Sequence, residues 1–169
     1  MNRRCILRLS AMTALAVALL PSNGISQQKS LKDQLVGTWM FISSTTKLPD
    51  GSPVWGSNPK GLTIFAENGR YSSHVVRSDR PKFASNSRAK GTPEENKAAV
   101  LGGIASFGTY TVDEANKTFT IRFEGSSYPN LEGMEQVRPF MIVGDELKVT
   151  NPSPSIGGVR SEITYRRAK

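Results

Sequence analysis

The side chains best placed to do chemistry in this sequence are Gln136 and Arg138, two residues apart in a strand-forming stretch. Alternate residues of a strand share a face, so this spacing sets an amide beside a guanidinium. The same rule groups Tyr110 with Gly108 and Val112, and Tyr71 with Ser73 and Val75. A guanidinium taken out of water without a partner is strongly disfavoured, so Arg138 needs an acid, several acceptors, water or a ligand. Such a set suits recognition of an anion or a carbonyl. It also suits stabilisation of developing negative charge, with Tyr110 or Tyr71 as proton donor. Other chemistries find little support. With one histidine and one cysteine in the chain, a metal site built from two or three imidazoles is impossible. His74 has no Gly-x-Ser-x-Gly elbow to serve, and no glycine-rich phosphate loop is present. No catalytic residue, no metal and no cofactor is therefore expected.

Strands must position these groups. Short β-branched and aromatic runs, punctuated by Gly, Pro, Asn and Asp, predict eight of them: 35–45, 61–67, 70–77, 107–112, 117–124, 136–142, 146–150 and 159–167. Asn68-Gly69, Asp113 to Asn116 and Gly144-Asp145 are tight connections, and tight hairpins make neighbours antiparallel. The fold class expected is all-β, a closed eight-stranded antiparallel up-and-down barrel, because closure removes exposed edges. A two-layer sandwich is the rival. Inward faces then hold Gly37, Trp39 and Phe41; Phe119, Ile121 and Phe123; Gln136, Arg138 and Phe140; and Ile163, Tyr165 and Arg167. The third strand reads either way, and Tyr71, Ser73 and Val75 are preferred inward for the larger aromatic. Thr92-Pro93-Glu94-Glu95 predicts the capped start of a helix of about ten residues, ended by Gly102-Gly103 and reached by the loop Ser78 to Gly91. Residues 27–34 read as a polar lead-in to a single domain over 35–169.

The N-terminus reads as a signal peptide. Arg3, Arg4 and Arg8 precede an uncharged, largely apolar run, Ala11 to Leu20, and small residues allow cleavage after Ser26. That run is well short of the ~20 residues a spanning helix needs, so stable membrane insertion after processing is not expected. Cleavage removes three Arg and no acid, taking the formal charge from +8 to +5. The remaining basic residues are scattered among acids, which speaks for solubility and against a nucleic-acid partner. The processed chain has no cysteine and is expected in the periplasm or outside the cell. Nothing in the sequence sets an oligomeric state.

Gly37-Thr38-Trp39 matches the Gly-x-Trp signature of lipocalins, and longer phrases extend the match: Asn58-Pro59-Lys60-Gly61, Asp79-Arg80-Pro81-x-Phe83, Gly91-Thr92-Pro93-Glu94-Glu95, Phe107-Gly108-Thr109-Tyr110, and Tyr128-Pro129-Asn130 leading to Gln136-x-Arg138. On these the chain resembles the bacterial lipocalin-like domain family, from Leu35 to the C-terminus. The resemblance implies a calycin-type barrel with an interior cavity. It also implies that Gly37 and Trp39 close one end beneath an arginine of the last strand, Arg167 by position with Arg166 second. Members often carry histidines in the fifth strand, where this chain has Ile121-Arg122, so no role resting on them transfers.

Three functional readings follow. One is a binding protein for a small, mostly apolar molecule, with Trp39, Tyr71, Ser73, Tyr110, Gln136 and Arg138 lining the pocket and Tyr128 at its rim or merely in a turn. The second is a filled barrel with a structural or protein-partner role. The third is a cofactor-free isomerase or cyclase acting on an apolar substrate.

Overall fold

The computed structural model describes residues 29–158 and 160–169; the expected signal peptide, its cleavage site and Val159 lie outside the described residues. Eight strands form one closed antiparallel barrel in chain order: β1 (Gly37–Ser44), β2 (Lys60–Phe65), β3 (Arg70–Val76), β4 (Gly103–Asp113), β5 (Thr118–Ser126), β6 (Glu135–Val143), β7 (Glu146–Asn151) and β8 (Ser161–Arg167). Pairing of β8 with β1, from Trp39 opposite Arg167 to Ser44 opposite Ile163, closes the cylinder. That ladder excludes the sandwich.

The inward set of β5 is buried, Phe119, Ile121 and Phe123 each being at most 2% exposed. β3 turns Tyr71 and Val75 inward. His74 points outward, its Nε2 2.9 Å from Ser72 Oγ in an exposed pair. The Asn68-Gly69 turn forms with Gly69 at φ +80°, a region glycine enters without strain.

Two elements differ from the sequence expectation. β4 begins at Gly103, four residues earlier than predicted, because Gly103 to Ser106 pair with Val76 to Ser73. Ala and Gly carry little strand propensity, so this extension comes from cross-strand pairing. The polar lead-in is the second: Leu31–Leu35 form a short helix, α1. Five residues are too few to show a period, and an isolated helix of that length is unstable in water. Tertiary contacts hold it. Ser30 Oγ accepts from Asp33 N, and the Glu114 carboxylate accepts from the backbone N–H groups of Leu31 and Lys32 at 2.9 and 3.0 Å.

The helix α2 (Pro93–Leu101) follows the expected capping box: Thr92 Oγ1 accepts from Glu95 N, and Glu95 Oε2 accepts from Thr92 N. Glu95 also accepts from Ala84 N through Oε1 at 2.8 Å. One carboxylate thus caps the helix and ties down the preceding loop, and these N–H donors hold its pKa below the usual glutamate value.

Candidate functional site

The tight turns and α1 gather at one barrel end, and the four longer connections at the other. The first end is sealed. Trp39 is fully buried there, and its indole Nε1 donates to Leu35 O at 2.7 Å. The Arg167 guanidinium carbon stands 4.1 Å from the indole ring centroid, while its nitrogens donate to Val36 O and Gln34 O. α1 therefore has a carboxylate at its N-terminal N–H groups and a guanidinium at its last carbonyls, complementing its dipole at both ends. Gly37 has φ +131°, and a Cβ there would come within 3.0 Å of Arg167 Nη1. Gly37, Trp39 and Arg167 thus meet in one closure.

An aromatic layer lies above this floor. Phe65 packs edge-on against Tyr110 and Phe119, at 5.0 and 5.2 Å between ring centroids. The Tyr110 hydroxyl donates to Ala66 O at 2.9 Å.

Over that layer the barrel holds a cavity of about 240 Å³, reached from the looped end. Five residues expected in a pocket line it: Tyr71, Ser73, Tyr128, Gln136 and Arg138. Trp39 and Tyr110 do not. The Trp39 indole packs against Arg167 in the floor, and the Tyr110 ring packs against Phe65, its phenol already committed to a backbone carbonyl. Alternation identifies the face a side chain takes but not its depth. This also removes Tyr110 as a proton donor to anything in the cavity.

Arg138 is the only charged side chain lining the cavity among the described residues. It is half-buried. The ion pairs among the described residues, such as Arg70 with Glu124 and Arg77 with Asp79, do not include it. Its Nε and Nη2 both donate to Gln136 Oε1, at 3.2 and 2.7 Å. Gln136 in turn reaches Ser153 O through Nε2 at 3.4 Å. The guanidinium carbon lies 6.0 Å from the Phe123 ring centroid. One neutral oxygen is thus the sole described acceptor for a full positive charge.

Hydroxyls gather around the base of the cavity. Tyr71 Oη is 3.3 Å from Ser106 Oγ, and Thr63 Oγ1 is 2.8 Å from Ser73 Oγ. Tyr165 lines the same space. Burial foremost, and then the neighbouring Tyr71, push its phenol up to about 12, against smaller opposing effects of Thr63, Arg138 and Ser73. Tyr165 therefore remains an O–H donor at any physiological pH. It was legible as an inward residue by alternation with Ile163. Trp55, Leu131 and Ile156 also line the cavity, but they come from loops, where no period marks them.

Among the described residues no group of three or more His, Cys, Asp or Glu could hold a metal ion. No described helix is long and apolar enough to cross a membrane.

The family comparison agrees with this architecture. The family model described as the lipocalin-like domain matches residues 36–167. Among solved structures, the chain is similar to a DUF4847 family protein from Bacteroides vulgatus, with 16% identity, 80% of this chain and 94% of that chain covered, and a TM-score of 0.38. None of the curated proteins compared matches. The matched segment takes in all eight strands and the Gly-x-Trp floor, and on that match the chain belongs to the lipocalin-like domain family.

Proposed function

We propose that this chain is an exported binding protein that holds a small, mostly apolar molecule in the barrel cavity, with an anionic or carbonyl group of that molecule facing Arg138. The observation that carries this reading is the unpaired Arg138 guanidinium in a largely aromatic and aliphatic cavity. A guanidinium placed there solely for stability would have its N–H groups met by a carboxylate or by several carbonyls, as Arg167 has at the floor. An apolar hollow with a few converging polar groups is the usual composition of a small-molecule site. A side-chain-filled barrel would leave no space of about 240 Å³, which disfavours a purely structural role. Export to the periplasm or the exterior is proposed on the basic start and apolar run of the N-terminus.

Native mass spectrometry of the protein purified from its own host tests the proposal. A small molecule released on denaturation is expected, and its retention should weaken in Arg138→Met. A chain of bare mass in every preparation, with no uptake of neutral apolar probes, would end this reading.

A further inference from the structure

Resting on that reading, we propose that the ligand is a small monocarboxylate, its carboxylate on Arg138 and its tail against the aromatic and aliphatic lining of the cavity.

Polarity within the cavity sets the contact. The Arg138 guanidinium and the phenols of Tyr71 and Tyr165 are among the polar groups of a mainly apolar lining. That lining includes Val54, Trp55, Leu101, Ile104, Leu131 and Ile156. Several polar groups that line the cavity are already engaged. Ser44 and Thr46 pair their hydroxyls at 2.8 Å, Ser127 Oγ accepts from Ala105 N, and Asn151 Oδ1 accepts from Ser153 N. Arg138 is the charged group there with N–H groups left to give, since Nη1 makes no hydrogen bond to a described residue.

Charge sets the headgroup. A planar guanidinium offers two parallel N–H donors to a carboxylate. One cation neutralises one negative charge, and among the described residues no second cation lines the space. A phosphate monoester dianion would stay half neutralised in an apolar cavity, at a large desolvation cost. A neutral alcohol would leave the guanidinium as it stands.

Volume sets the size. A cavity of roughly 150 Å³ holds benzene, with six heavy atoms. By proportion about 240 Å³ holds roughly ten, the size of octanoate or 3-phenylpropanoate.

Displacement of the neutral fluorophore 1-aminoanthracene from the folded chain, by a series of defined probes, tests this. Octanoate and 3-phenylpropanoate should bind at least tenfold tighter than octan-1-ol and methyl octanoate. In Arg138→Met, or Arg138→Gln should the first fold poorly, the acids should fall to the level of the alcohol while the alcohol is unchanged. Equal binding of acid and methyl ester, tighter binding of octyl phosphate, or acids indifferent to Arg138 would overturn the carboxylate assignment. Binding of octan-1-ol with rejection of every acid defeats this inference alone and leaves the broader reading standing. Failure of the fluorophore and of all probes defeats both.

Discussion

Replacing Arg167 by methionine should destabilise the barrel by about 3 kcal/mol. Methionine keeps an apolar stem over the Trp39 indole but loses the cation–π contact at 4.1 Å, roughly 1–2 kcal/mol when partly desolvated. It also loses hydrogen bonds to Val36 O and Gln34 O. Bonds from a charged donor contribute roughly 1.5–3 kcal/mol each. Arg167 is only half-buried, so water replaces part of that contribution, leaving a net loss near the stated figure. For a domain of this size the melting temperature should drop by roughly 10 °C. Urea unfolding followed by indole fluorescence and far-ultraviolet dichroism would measure it, with coincident curves as the two-state check. Hydrogen exchange adds a local signature: the Gln34 and Val36 amides, bonded to Ser30 O and Lys32 O, should lose protection first. A loss under about 1 kcal/mol with α1 protection unchanged would refute the view that this arginine fastens the floor.

Other outcomes follow from the same geometry. Gly108→Ala should prevent folding or cost roughly 3 kcal/mol or more, because a Cβ there would stand 1.9 Å from Arg122 O at the β4–β5 irregularity; a thermal melt matching wild type would contradict this. In the folded chain one of the four phenols should titrate near pH 12, and Tyr165→Phe should abolish that step; ionisation of all four by pH 11 would oppose it. Because the folded phenol pKa lies above the unfolded one, Tyr165 contributes stability in full below about pH 10 that is lost between pH 10 and 12, on the order of 2–3 kcal/mol. The Glu95 carboxylate has a lowered folded pKa, so its contribution is present above the unfolded value and lost as acid carries the pH through the folded one. Proteolysis in the loop Ser78 to Gly91 should therefore quicken on acidification, and Glu95→Gln should show the faster cleavage already at pH 7; identical cleavage of variant and wild type would count against the tie.

The barrel was legible because each strand carries a period-two pattern and the tight turns name their own geometry. Phe119, Ile121 and Phe123 fixed an inward face without help from the rest of the chain. The floor closure was legible through the Gly37-Thr38-Trp39 match and the position of Arg167. Depth along the barrel axis was not. Trp39 and Tyr110 share inward faces with cavity residues but pack against Arg167 and Phe65 and do not line the cavity. Only the stagger of neighbouring strands decides that level, and local sequence does not encode it. The helix α1 escaped notice for a related reason. Its stability comes from Glu114 and Arg167, both distant in the chain, and from Trp39 just past its end, rather than from its own composition. Loop residues such as Trp55 and Ile156 reach the cavity through loop paths that carry no periodic signal.

The most direct test of the binding account is a high-resolution crystal structure of the protein purified from its own host, read for density inside the barrel. The account predicts a connected feature of about ten non-hydrogen atoms ending within hydrogen-bond distance of the Arg138 guanidinium. A cavity collapsed onto its own side chains, or Arg138 turned out into bulk solvent with only scattered water behind it, would contradict it.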